Sequence, residues 1–155
     1  MTTMILAALL ATGAQAATCP DITAFRTDRV KQSFDPQGLD GLWFEHAYID
    51  IAQAGASCQT LNSTFDAASQ QINMAFKVDY IGKVVPFTII ENYSPKANLT
   101  GYYTKKAKMP GSSLLTLPTV VVDVVPSSSD GSGPYEAMTL YSCINPAHAA
   151  QVTEL

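Results

Sequence analysis

The sequence predicts an all-β protein, an up-and-down antiparallel meander that closes into a barrel or a sandwich. Apolar side chains recur at every second position, residues 119–125 are almost purely β-branched, and turn-forming residues separate the segments at even intervals. The predicted strands span residues 42–50, 58–66, 70–80, 84–91, 98–106, 119–125 and 135–143. With 155 residues and no internal repeat, we expect one domain.

The clearest strand signal lies in residues 70–80. Its apolar residues fall on one face and its polar residues on the other, which is the period of a half-buried antiparallel strand. The apolar face comprises Ile72, Met74, Phe76, Val78 and Tyr80. This face is therefore predicted to point into the protein.

Two other strands carry a residue that is unusual in a regular ladder. Pro86 lies inside 84–91 and lacks a backbone N–H, so we expect it at a sheet edge or a bulge. Gly101 lies inside 98–106, where the alternation is weaker, and it predicts a bend or a bulge. Further along, 127–134 (SSSDGSGP) predicts a flexible hairpin loop.

The first residues are typical of a secretory signal peptide. An apolar run at 4–11 is followed by small residues that end in Ala-Gln-Ala, the pattern of a cleavage site after Ala16. We therefore expect residues 1–16 to be removed and the mature protein to be secreted and extracellular. The run is too short to span a bilayer, so no membrane span is predicted. A buried core helix is the alternative interpretation.

The charge and the cysteine content restrict the class of binding partner and the state of the thiols. The net charge is −4 and no run of Lys or Arg occurs, so a nucleic-acid partner is not expected. Three cysteines in an oxidising compartment leave one thiol over after pairing. Sequons at Asn62 and Asn98 predict glycosylation, whereas Pro95 weakens the one at Asn92.

The segment 34–46 (FDPQGLDGLWFEH) carries a resemblance to a known family. Gly41 and Trp43, with an aromatic residue directly after them, resemble the first motif of the lipocalins. The resemblance implies that Trp43 packs at the bottom of a barrel, where its strand begins. Gly38 departs from the family pattern, which usually has a polar side chain there.

Further residues make the chain most similar to the apolipoprotein D-like lipocalins, over roughly residues 18–143. Thr18-Cys19-Pro20, Ala56-Ser57-Cys58-Gln59 and Tyr141-Ser142-Cys143 carry this likeness. The resemblance implies a Cys19–Cys143 disulfide, which would contribute about 4–5 kcal/mol in the chain-entropy model. A second family motif survives only as Val122-Asp123-Val124. The predicted barrel domain thus spans 17–143.

The resemblance also implies a missing element. Lipocalins continue into an eighth strand and a C-terminal helix, whereas here only the irregular tail 144–155 follows. The family partner of Cys58 lies in that absent part, which accounts for the odd thiol. We therefore expect seven of eight strands, with unpaired edges on the first and seventh. Dimerisation through these edges or through Cys58 is a further expectation.

The predicted cavity is lined mainly by apolar side chains. If Asn62 bears a glycan and faces solvent, its neighbours on the strand face inward. The expected ligand-binding residues are Leu61, Ser63, Phe65, Met74, Phe76, Val78, Phe87, Ile89, Met138 and Leu140. Such a lining suits a lipid, sterol, retinoid or pigment, and with the resemblance it predicts a carrier. Side chains that simply fill a core would give the same pattern.

Catalysis has little support in the sequence. The two histidines, His46 and His148, lie in no cluster with metal spacing, and no nucleophile elbow or phosphate loop occurs. We expect no enzyme activity, no metal and no cofactor. Two alternatives to a carrier remain open. One is an extracellular interaction module that acts through loops 107–113 and 127–134 at the barrel mouth, and the other is a lipocalin-type isomerase that uses Cys58.

Overall fold

The computed structural model describes residues 19–48, 56–80, 84–108, 114–129, 131 and 133–143. Seven strands in them form one antiparallel sheet, in which each strand pairs with the next along the chain. They are β1 (Gly41–Phe44), β2 (Ala56–Asp66), β3 (Gln71–Tyr80), β4 (Val84–Pro95), β5 (Tyr102–Lys108), β6 (Leu114–Pro126) and β7 (Tyr135–Ser142). The sheet curls into a half-barrel, so the predicted all-β, up-and-down antiparallel class is confirmed.

Several expectations fall outside the described residues. They are the signal peptide at 1–16, the tail at 144–155 with His148, and the tip of the predicted loop at 107–113. The side chain of Cys58 also lies outside the described part of the protein. Within it, β1 and β7 occupy the two ends of the strand order, and no ladder joins them.

The bulge expected at Pro86 is present. Val78 pairs with Phe87 and Tyr80 pairs with Val84, so two residues of β4 stand opposite the single Asp79 of β3. Proline has no backbone N–H to donate to a strand ladder. The bulge accommodates Pro86 because no ladder hydrogen bond is needed there, and regular pairing continues on both sides. Pro86 itself is exposed.

The first strand is shorter than the predicted 42–50. It pairs with β2 as far as Phe44 opposite Thr60, and the register of β2 against β3 shifts between Ser57 and Thr60. A bulge twists and bends its strand, so the neighbouring ladder is interrupted at the same level. The chain from Glu45 to Tyr48 accordingly has no strand structure.

The expected role of Gly101 within a strand is wrong. This residue ends the turn between β4 and β5 with a φ of +73°, and Asn98 in the same turn has a φ of +66°. Two left-handed residues reverse the chain and bring Tyr102 into β5, instead of extending the strand back to residue 98. The strand therefore starts four residues later than predicted.

An N-terminal segment that the strand pattern did not predict precedes the sheet. It consists of a 3₁₀ turn at Ile22–Phe25, the short helix α1 at Asp28–Ser33 and a second 3₁₀ turn at Pro36–Leu39. Each begins with a capping side chain, since Asp21, Thr27 and Asp35 each accept a backbone N–H of the following turn. These short helical pieces depend on contacts with the sheet.

The N-terminal segment is fastened to β6 at an irregular point of that strand. Val122 is the extra residue between the pairs Val121–Leu140 and Asp123–Thr139, and its carbonyl accepts the N–H of Thr27 at 2.8 Å. The Thr27 hydroxyl donates to Asp123 Oδ1 at 2.9 Å. Val122 and Asp123, which carry part of the resemblance to a second lipocalin motif, therefore hold α1 against the sheet.

The core lies on the inner face of the curl, which we define as the side of the sheet that carries the buried strand residues and α1. From the N-terminal segment, Val30, Phe34 and Leu39 pack into it. From the strands it takes Leu61, Ile72, Met74, Phe76, Val78, Tyr93, Tyr103, Val121, Val124 and Tyr135. One continuous cluster thus joins the helical segment to six of the seven strands.

In an up-and-down sheet, successive connections alternate between the two ends. The β5–β6 connection and the β6–β7 connection therefore leave opposite ends of β6. The expectation that loops 107–113 and 127–134 share one barrel mouth is wrong for this topological reason. The second loop lies at the end closed by the N-terminal segment, where the ring of Tyr135 stacks on Phe34 at a centroid distance of 5.9 Å.

Candidate functional site

The cross-strand register aligns the inner face into rows. In one row Ser63 stands opposite Met74, Met74 opposite Glu91, and Glu91 opposite Ala107. A neighbouring row runs from Trp43 through Leu61 and Phe76 to Ile89. Because side chains alternate between the faces of a strand, these rows identify the residues that a molecule held in the curl would meet.

All ten residues predicted to line a cavity lie on the inner face, and they divide into two groups by burial. Leu61, Ser63, Met74, Phe76 and Val78 are buried. Phe65, Phe87, Ile89, Met138 and Leu140 pack against the core but are only partly buried. The second group gives the inner face apolar surface that the protein's own side chains do not fully cover.

A polar group lies in the middle of this apolar face. Lys105 Nζ contacts Glu91 Oε1 at 3.2 Å, and the Tyr93 hydroxyl donates to Glu91 Oε2 at 2.5 Å. The side chains of Lys105 and Glu91 are only 17% and 10% exposed. The ammonium also lies 5.9 Å from the centroid of the Tyr93 ring. An ion pair at this depth needs its hydrogen bonds, because desolvation of each charge is costly.

The sequence interpretation missed this group, although a signal for it was present. The predicted strand 84–91 is apolar and ends at Glu91. Every second residue of β4 faces the same side of the sheet. Glu91 and Tyr93 therefore lie on the inner face with Phe87 and Ile89. Lys105 then follows from its place opposite Tyr93 in β5.

Burial controls the ionisation of Tyr93 and Tyr103 on this face. The pKa of Tyr93 is well above its usual value, first because the phenol is buried, and then because of the negative charge of Glu91 and the hydrogen bond to it. Glu45 raises the same pKa further through its charge. Burial, followed by the proximity of Tyr135, raises the pKa of Tyr103. Both phenols therefore stay protonated at neutral pH, and Tyr93 remains a donor to Glu91.

Ser63 Oγ and Gln59 Oε1 are buried side-chain atoms that have no hydrogen-bond partner in the described part of the chain. Ser63 is 1% exposed and lies on the inner face, opposite Gly41 of β1 and Met74 of β3. Gly41 brings no side chain to this row. An unpartnered hydroxyl inside an apolar face is unfavourable by itself, and a bound polar atom would relieve it.

The residues that carry the lipocalin resemblance take up structural positions. Trp43 packs against the core from β1, and its indole Nε1 donates to the carbonyl of Leu39 at 2.8 Å. The departure at Gly38 has a steric reason, because a Cβ there would lie 2.6 Å from the ring of Tyr135. Any side chain at position 38 would displace that aromatic ring.

The Cys19–Cys143 disulfide is confirmed, with a Cα–Cα distance of 5.8 Å. It ties the start of the N-terminal segment to the end of β7. Asn62 and Asn98 are both exposed, so their side chains are accessible for glycosylation, which stays a prediction. No group of three or more metal-ligating side chains occurs among the described residues.

No family model, no curated protein and no solved structure matches this sequence. The lipocalin resemblance therefore depends on the residues of this chain alone. In the described part of the chain, no helix has the length and apolar character needed to cross a membrane.

Proposed function

We propose that this protein is a secreted, lipocalin-type carrier that holds one small apolar molecule against the inner face of its curled sheet. The observation that carries the proposal is the partial exposure of apolar side chains on the face that otherwise forms the core. Phe65, Phe87, Ile89, Met138 and Leu140 all belong to this group. They extend over β2, β4 and β7, and therefore across most of the width of the sheet.

Apolar burial supplies the driving force for such a ligand. A molecule that buries about 300 Å² of apolar surface gains about 7–8 kcal/mol, at roughly 25 cal/mol per Å². Part of this gain offsets the loss of translational and rotational freedom on binding. A lipid, sterol, retinoid or pigment has the size and the apolar character to benefit. The Cys19–Cys143 disulfide supports an oxidising, extracellular environment.

Two adjacent isoleucines of β4 provide a matched test of the site. Ile89 is a partly buried residue of the inner face, whereas Ile90 points outward and is 48% exposed. We expect Ile89→Glu to weaken the binding of the neutral dye N-phenyl-1-naphthylamine at least about tenfold, because it places a charge in the apolar site. Ile90→Glu should leave the dissociation constant within about twofold of the wild-type value. The measurement is a fluorescence titration of the purified mature protein.

The titration also separates the proposed function from its alternatives. Equal affinities of the two glutamate variants would locate the dye elsewhere and overturn the proposed site. A wild-type protein with a folded β spectrum that binds neither the dye nor a retinoid would indicate an interaction module instead of a carrier.

A further inference from the structure

We propose that Glu91, Lys105 and Tyr93 form the headgroup site of this carrier, and that they select an amphiphile with an uncharged hydroxyl head. The inference rests on the proposed function and names the chemical class of its ligand, a long-chain or alicyclic alcohol. The three side chains come from the adjacent strands β4 and β5, and all lie on the inner face.

The hydrogen-bonding capacity of the group matches a hydroxyl. The Lys105 ammonium has three N–H donors, and one contacts Glu91 Oε1. The Glu91 carboxylate has about four acceptor positions, of which Tyr93 and Lys105 occupy two. A hydroxyl placed beside the ion pair can donate to the carboxylate and accept from the ammonium at once. Hydrogen bonds to charged partners are the strong ones.

The charge balance of the site disfavours charged heads. Glu91 and Lys105 neutralise each other at 3.2 Å. A carboxylate head would bring a second anion against one ammonium, and an ammonium head would bring a second cation against one carboxylate. Each would also lose its hydration on entry. Glu45 lies close enough to raise the pKa of Tyr93 through its charge, so an anionic head is disfavoured more strongly than a cationic one.

Ser63 is an independent sign of a ligand on the same row. Its hydroxyl is buried and lacks a partner, and only Met74 separates it from Glu91 along the row. Two strand spacings put it about 10 Å from the headgroup site. Met74 and Ser63 are buried, so an alcohol anchored at Glu91 reaches Ser63 only by displacing the side chains that cover this row. A second oxygen on the ligand at that point would give the Ser63 hydroxyl its partner.

The test displaces N-phenyl-1-naphthylamine from the mature protein at pH 7.5 with four ligands that share a twelve-carbon chain. They are 1-dodecanol, dodecanoate, dodecylammonium and dodecyl methyl ether. The ether accepts a hydrogen bond but cannot donate one. We expect the alcohol to bind about tenfold more tightly than each of the other three, since one strong hydrogen bond corresponds to about that factor.

Variants then assign the preference to the headgroup site. The double variant Glu91→Gln/Lys105→Met removes both charges together and keeps an acceptor for Tyr93, so it avoids a lone buried charge. We expect its preference for the alcohol over the ether to fall below about threefold. Lys106→Met is the matched control, because Lys106 is the next residue of β5 and is exposed on the outer face. It should keep the wild-type ranking.

The outcomes distinguish this inference from the proposed function. Equal or tighter binding of dodecanoate or dodecylammonium, in a protein that binds the dye, overturns the headgroup inference alone. The headgroup inference alone is also overturned if the preference for the alcohol persists in the double variant. Near-ultraviolet circular dichroism must then show that this variant is folded. Absence of displaceable dye binding to the wild type overturns the carrier function and the headgroup inference together.

Discussion

At the scale of single residues, Gly101 determines how closely α1 approaches the sheet. A Cβ at this position would lie 2.5 Å from Val30 Cγ1, and Val30 is fully buried. The backbone carbonyl of Gly101 also accepts the N–H of Val121 at 2.8 Å. A left-handed backbone, a close approach and a hydrogen bond into β6 thus coincide at one residue.

We expect Gly101→Ala to lower the free energy of unfolding by about 3 kcal/mol. About 1 kcal/mol comes from the left-handed backbone, and the rest comes from the overlap with Val30. Urea unfolding measures the loss. Gly131→Ala is the matched control, since Gly131 has a φ of +81° but nothing within 4 Å of the added Cβ. Equal losses in the two variants would show that the overlap with Val30 does not change the free energy of unfolding.

Ser63 and Glu91 differ in how far the local sequence pattern predicts their surroundings. The inward placement of Ser63 followed from the outward placement of Asn62, because neighbours on a strand face opposite sides. The predicted strand 84–91 ends at Glu91, and its local pattern assigns no partner to that carboxylate. Its partners, Lys105 and Tyr93, become neighbours only through the register of β4 and β5.

At the scale of elements, Thr27 holds the N-terminal segment against β6. The hydroxyl of Thr27 accepts the N–H of Val30 at 3.4 Å and donates to Asp123 at 2.9 Å, so one side chain caps α1 and joins it to β6. Arg29 adds a hydrogen bond to the carbonyl of Val124 at 2.5 Å. Its ion pair with Asp123 is partly exposed and adds little.

Thr27→Ala should destabilise the protein by about 1–2 kcal/mol, because it removes the cap and the contact with Asp123 together. Thr27→Ser keeps the hydroxyl and should retain most of the wild-type stability. Thr23→Ala is the local control, since the Thr23 hydroxyl donates only to the nearby, exposed Asp21. Thermal unfolding followed by circular dichroism ranks the three variants. A loss in Thr23→Ala as large as that in Thr27→Ala would contradict the assigned role.

At the scale of the whole molecule, the Cys19–Cys143 disulfide joins the two ends of the described chain across 124 residues. It connects the start of the N-terminal segment to the end of β7, at one margin of the sheet. The long separation restricts the unfolded chain strongly, which is the source of stabilisation in the chain-entropy model. Association through the edges of β1 and β7 stays a prediction, and sedimentation velocity checks it.

Replacing both cysteines of this disulfide by serine should lower the free energy of unfolding by about 4 kcal/mol. The comparison is made in a Cys58→Ser background, so that Cys58 cannot exchange with the other two thiols. Urea unfolding gives the loss in stability, and mass mapping of the unreduced wild-type protein identifies the linked peptides. A peptide that links Cys58 to Cys19 or Cys143 in the wild type would contradict the assigned pairing.

The sequence by itself determined which segments form strands and the alternation of side chains within them, but not where each strand begins and ends. The alternation in 70–80 and the β-branched run in 119–125 are local patterns, because a strand places successive side chains on opposite faces wherever it lies. The bulge at Pro86 was predictable for the same reason, since the missing N–H belongs to that residue alone. Cys19 and Cys143 were paired through the resemblance, and the structure brings them together.

Only the tertiary structure decided which of these residues meet. The short first strand depends on a bulge in β2, and the approach of α1 depends on the missing side chain of Gly101. The separation of the loops at 107–113 and 127–134 follows from the strand order. The contact of Glu91 with Lys105 and Tyr93 follows from register and burial, which join residues distant in sequence and which no local pattern specifies.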